Sequence, residues 1–221
     1  MLATHSLDTP VVGLVARRDG LRFDPGEIRS RMAAFETQAG PAEYGIVDEL
    51  GLLGSFIAGP EALARFSGNA PYNTDDRPVV AYRAPRITYA PDSSPRDRLI
   101  ALLHQLEIRP DELIDTSNDG ALESRLSAYW AARNRFVEAG RDVQPTTDPS
   151  RMLAQVRESL LSVLRVSPDF RPAYDPLLRM ALALARSDAA TARGVLIDLQ
   201  RLQPERPEAL EALRGIASAP P

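Results

Sequence analysis

The last third of the chain repeats itself, and this most limits what it can fold into. Pro168 and Pro204 stand 36 residues apart. Ala173-Tyr174 after the first aligns with Ala209-Leu210 after the second, and Leu177 aligns with Leu213. Between the prolines lie two segments of helical period, Pro172 to Arg186 and Ala189 to Leu202, joined near Ser187-Asp188. A helix pair recurring at about 34 residues cannot bury its apolar face alone and must stack on its neighbours. Ala192 is small enough for a close helix contact. The match is degenerate, since Leu178 stands where the repeat expects glycine. The pattern amounts to one clear repeat, half a repeat before it and a closing helix after it. The half repeat starts at Asp148-Pro149 and carries Leu153, Val156, Leu160 and Leu164.

Upstream the same period continues. Ser94-Pro95-Arg96-Asp97 reads as a helix start followed by Leu99, Leu102, Leu103 and Leu106, with Pro110 as the stop. Leu122 to Val137 predicts a longer helix. The first part is mixed. PVVGLVARR (10–18) is short, β-branched and bounded by Pro10 and Asp19-Gly20, which predicts a strand. Asp24-Pro25-Gly26-Glu27 predicts a helix start with Glu27 completing a capping box. Further helices are expected over 41–53 and 60–66, the latter stopping at Gly68, and a second strand over Val79–Ala84. Residues 85–95 read as a proline-rich linker. The expected fold is mainly α with a small α+β part: a two-strand segment over 1–88, followed by a helical region over 89–221.

Composition removes several chemistries. All 26 cationic side chains are arginine, with no lysine and no cysteine. That excludes a phosphate-binding lysine, a lysine Schiff base, a thiol nucleophile, a disulfide framework and a cysteine metal site. The two histidines, His5 and His104, are 99 positions apart, too few for a histidine-rich metal centre. A net charge of −4 with arginines spread along the chain argues against nucleic acid as the partner. No apolar run reaches the ~18 residues of a membrane span. The start MLATHSLDTP lacks a signal-peptide pattern, so the expected compartment is the cytoplasm.

The densest polar segment is Asn73-Thr74-Asp75-Asp76-Arg77-Pro78. Paired carboxylates could hold an ammonium group or a hard cation, or Asp75 or Asp76 could act as a base. The structural alternative is a turn in which Asn and Asp bond their own backbone and Arg77 pairs with a carboxylate at the strand entry. His104 reads as a packing or helix-end residue, and Tyr129, Trp130 and Phe136 as core aromatics. Arg179, Arg186, Arg193 and Arg201 either line a groove for an acidic peptide or form a solvated face. No G-x-S-x-G surrounds a serine, and Gly45, Gly51 and Gly54 do not form the dinucleotide-binding turn.

Three stretches, VVGLVARRDGLRFD (11–24), AGPEALARFSG (58–68) and above all APYNTDDRPVVAYRAPR (70–86), resemble the C-terminal end of bacterial spermidine synthase-like proteins. They are most similar to the large forms fused to a multi-pass membrane transporter-like region. The tail with YWAARNRF (129–136) and its tetratricopeptide-like repeat is similar to tails that follow that domain. The resemblance implies a Rossmann-like sheet that binds decarboxylated S-adenosylmethionine on a glycine-rich loop, and an aspartate that deprotonates putrescine. Neither segment is present here, so no catalytic or cofactor-binding position carries over. Asn73, Thr74, Asp75, Asp76 and Arg77 match only a late loop whose role is open. The matching part corresponds to the last two strands of the sheet, and two strands alone leave open edges. The resemblance therefore implies a truncated or split member, not competent in aminopropyl transfer by itself. It would work with a partner chain docked through the open sheet edge or the helical repeat, beside an integral membrane protein. The alternative is a tetratricopeptide-type interaction module.

Overall fold

The computed structural model describes residues 1–3, 10–16, 18, 20, 22–34, 46–90, 94–115 and 120–218. Two short strands, β1 (Leu2–Ala3) and β2 (Val12–Gly13), pair antiparallel with Leu2 opposite Gly13 and Ala3 opposite Val12. Eleven helices follow among the described residues: α1 (Pro25–Ala33), α2 (Glu49–Gly54), α3 (Pro60–Ser67), α4 (Val79–Thr88), α5 (Pro95–Gln105), α6 (Pro110–Leu113), α7 (Gly120–Ala139), α8 (Pro149–Val166), α9 (Arg171–Leu184), α10 (Ala189–Leu202) and α11 (Pro207–Ser218). The architecture is mainly α with one small antiparallel sheet, the class the sequence implies.

Local chemistry sets most boundaries. Asp24 accepts from the Gly26 and Glu27 amides, Asp148 from Ser150 and Arg151, and Asp188 from Thr191. Each satisfies amides that a helix start otherwise leaves orphaned. Proline opens α1, α3, α5, α6 and α8, where its missing N–H costs nothing. Gly68 ends α3 at φ 46°, a conformation that favours glycine. Glu27 does not close a capping box; its carboxylate turns to Arg31 one turn on.

Helices α7 to α11 pack each on the next, as the repeat requires. The repeat offset is physical. It holds best at one pair: Ala173 and Ala209 are both fully buried, whereas Tyr174 and Leu177 are buried while their counterparts Leu210 and Leu213 are exposed and half-buried. The Gln203 amide donates to the Pro168 carbonyl, and Arg206 donates to the Asp169 carbonyl with its guanidinium over the Tyr174 ring. These contacts tie the two proline turns together. Ala192 is fully buried, as a close helix contact demands.

The expected strand at 79–84 is instead the start of α4, which also takes in part of the expected linker. An isolated strand satisfies none of its own backbone groups, and the two-residue strands β1 and β2 offer it no matched edge; a helix satisfies them internally. Asn73 supports the helix start by accepting from the Val80 amide. At the other expected strand, 10–18, only Val12–Gly13 is paired, with β1. β1 lies between β2 and the chain after α2, where Ala3 donates to the Ser55 carbonyl and Ile57 donates to the Met1 carbonyl. Of the helix expected over 41–53, only the end forms, as α2 from Glu49, because Asp48 caps it and Ile46 to Asp48 are not helical; residues 41–45, like His5 and Phe35, lie outside the described residues. Pro110 does not stop α5, which ends at Gln105, but opens α6.

The core crosses the boundary expected at residue 88. Ala3, Ile57, Ala58 and Ala62 pack with Leu99, Leu103, Leu106 and Val137 in one cluster. The larger cluster runs from Leu50 and Leu53 of α2 through α7 to Ala209 of α11.

Candidate functional site

The loop singled out in the sequence is a closed, exposed turn. Thr74 and Arg77 exchange both backbone hydrogen bonds, and the Thr74 hydroxyl also accepts from the Arg77 amide. Asn73 caps α4, while Asp75 and Asp76 are exposed. The segment is a turn, as one reading of it has it, but its bonds come from Thr74 and Asn73; the expected pairing of Arg77 with a carboxylate is absent among the described residues, and the turn leads into a helix rather than a strand. Among the described residues no group of three or more metal-ligating side chains is assembled.

Two buried charges organise the junction between the first part of the chain and the helical array. Arg133 of α7 is buried and donates to the carbonyls of Gly54 and Phe56, at the end of α2. Trp130 donates from its indole to the Leu53 carbonyl. A cation at a helix C-terminus meets carbonyls that lack intrahelical partners. Burial pulls the Arg133 guanidinium down to about 10. The approach is close: a Cβ on Gly54 would lie 2.2 Å from the Tyr129 ring, so only glycine fits there. Burial raises the Tyr129 hydroxyl above its ordinary range. The core role expected of Tyr129, Trp130 and Phe136 is therefore extended, because Trp130 also acts as a donor.

The second charge is Glu112 of α6, whose carboxylate accepts from the Glu61 and Ala62 amides. It caps α3 from 50 residues away, because the N-cap position is Gly59 and has no side chain. A Cβ at Gly59 would lie 2.4 Å from the Glu112 carboxylate. Arg65 and Arg109 stand 3.8 Å from the other carboxylate oxygen.

The concave site of the array is a cleft of about 440 Å³ between the start of α5, the end of α7 with its following loop, α8 and α9. Phe136, Val143, Met152, Leu160 and Met180 give it apolar walls, and its charged lining residues are Arg96 and Arg179. Arg96 is half-buried and donates to the Arg141 carbonyl; Arg179 is exposed. Of the four arginines considered as a groove, Arg179 lines this cleft, while Arg186, Arg193 and Arg201 lie exposed outside its lining. Cleft residues such as Met152 and Val143 carry no sequence signal of their own, since four separate elements assemble them. A second cavity of about 300 Å³ lies beside β1, between Phe23, Phe56, Leu63 and Glu112. His104 sits at the exposed end of α5 and bonds Glu138 of α7 at 2.8 Å, a helix-end role.

No helix among the described residues is long and apolar enough to cross a membrane. Comparison with protein-family profiles, with curated proteins and with solved structures finds no match.

Proposed function

We propose that the chain is a spermidine synthase-like portion of a polyamine aminopropyltransferase system, not competent in transfer by itself, which works docked on a partner chain that carries the Rossmann-like sheet. One observation carries the reading. The stretches that bear the resemblance, 11–24 and 70–86, hold many of the large apolar side chains left uncovered: Val11, Leu14 and Val15 in the first, Tyr72, Val80 and Tyr82 in the second, with Ile87 and Tyr89 just beyond it. Leu14 is 78% exposed and Tyr72 88%. Covering such surface stabilises an interface by roughly 25 cal/mol per Å² of apolar area. On this reading decarboxylated S-adenosylmethionine binds the partner, and the chain resides in the cytoplasm next to an integral membrane protein.

The test has two arms. Calorimetry of the purified chain with an S-adenosyl ligand should give no binding; micromolar binding by the chain alone would defeat the proposal. A complex isolated from the source cells should contain a protein with a glycine-rich S-adenosyl loop, and Leu14→Asp with Tyr82→Asp should deplete it. Retention of that protein by the double variant, or its absence from the wild-type complex, also removes the reading.

The stacked packing of α7 to α11 favours a second reading, a tetratricopeptide-type interaction module whose helices bind a protein segment. Arg193→Glu should then weaken an identified partner, and unchanged affinity counts against it.

A further inference from the structure

We infer that the cleft between α5, α7, α8 and α9 binds a single-chain anionic amphiphile, a medium-chain fatty carboxylate, with the alkyl chain inside and the carboxylate at the arginines. This does not depend on the proposal above, because the cleft lies in the helical array and shares no residue with the exposed stretches.

Three properties of the cleft lead to this occupant. The first is size. About 440 Å³ lies within the range of small-ligand sites, and at roughly 30 Å³ per water-sized group it holds on the order of fifteen such groups. That is the scale of one medium alkyl chain with its head group. The second is chemistry. Phe136, Val143, Leu160 and two methionines form the walls, and methionine adapts its shape to a flexible chain. The third is charge. Among the described residues both charged lining residues are arginines and no carboxylate lines the cleft, so an anionic head is matched and a cationic one is not. The start of α5 and the loop through Gly140, Val143 and Pro145 form part of its wall, so the cleft is walled by more than the faces of stacked helices.

The experiment is calorimetric titration of the full chain with dodecanoate below its micellar concentration, with dodecyltrimethylammonium as the cationic control. The expected result is saturable binding at one per chain, with the cation weaker by about tenfold or more, the scale of one lost charge-assisted contact. Arg179→Gln should weaken dodecanoate by about fivefold or more and leave dodecanol unchanged. Met180→Trp, which fills the cleft, should abolish binding. Because that variant could also fail to fold, a diazirine-bearing fatty acid provides an independent readout on the wild-type chain. Labelling at Met152, Met180 or their neighbours supports the site. No saturable binding, equal binding of the cation, or labelling confined to residues 70–89 overturns it.

Discussion

Residues 1–90 and residues 94–218 solve the problem of burying apolar surface in opposite ways. From α7 to α11 each helix packs on the one before it, and large side chains such as Phe170 and Tyr174 are fully buried. Among the described residues, the large apolar side chains that stay exposed beyond Tyr89 are Leu182 and Leu210. Before that point they include Val11, Leu14, Val15, Phe66, Tyr72, Tyr82 and Ile87. The first region is also ordered from outside. Trp130 and Arg133 hold the end of α2, and Glu112 holds the start of α3. The difference shows that short-range repetition provides each element with a neighbour, whereas a mixed segment of the same hydrophobicity depends on what is placed against it.

The array should therefore respond most strongly to truncation. Phe170 is fully buried and meets Tyr129 edge-on at 5.0 Å and Phe136 at 5.4 Å. Phe170→Ala should cost about 3–5 kcal/mol in denaturant unfolding, the usual range for a buried aromatic. A loss under ~1 kcal/mol would mean that the array is no better packed than the first region.

The next effect falls on the junction. Gly54→Ala places a methyl group against the Tyr129 ring and should cost about 1–3 kcal/mol by overpacking. Hydrogen exchange at the amides near the end of α2 should speed up, while α9 and α10 keep their protection. Equal loss throughout would show that the junction and the array unfold as one unit.

Below that comes the cap supplied at long range. Glu112→Ala should cost about 1–2 kcal/mol, as for loss of an N-cap, with faster exchange at Glu61 and Ala62. Glu112→Gln keeps a carbonyl acceptor and should fall between the variant and wild type. Equal stability of all three would mean that α3 does not rely on α6.

These residues also mark what the sequence could reveal. α10 spans Ala189–Leu202, the range its apolar period implies, because its contacts repeat at the helical interval and lie close in sequence. The caps at Asp24, Asp148 and Asp188 are local and equally legible. Val79–Ala84 was misleading because β-branched and aromatic residues favour a strand only where a neighbouring strand receives them. Glu112 and Arg133 carry no local signal for their roles, since the amides and carbonyls they serve lie 50 and 79 residues away. The cleft was legible only through Arg179, one of the arginines considered for a groove.

The smallest effect should come from α4, where it is also the most informative. Its ten residues include Pro85 in the interior, and from Val80 to Thr88 every side chain is exposed. A helix of that length is marginal without tertiary contacts, and an interior proline removes one of its hydrogen bonds. Tyr82 is 73% exposed, so Tyr82→Ala removes little buried area and should change global stability by no more than ~0.5 kcal/mol. Trypsin should cut first at Arg83 or Arg86 and leave the array resistant, because cleavage follows local opening. A loss above ~1 kcal/mol for Tyr82→Ala would mean that α4 is packed against the chain in solution. The contrast between the two regions would then fail where it is greatest. If Tyr82→Ala leaves stability intact yet depletes the identified partner, the exposed tyrosines serve association rather than folding.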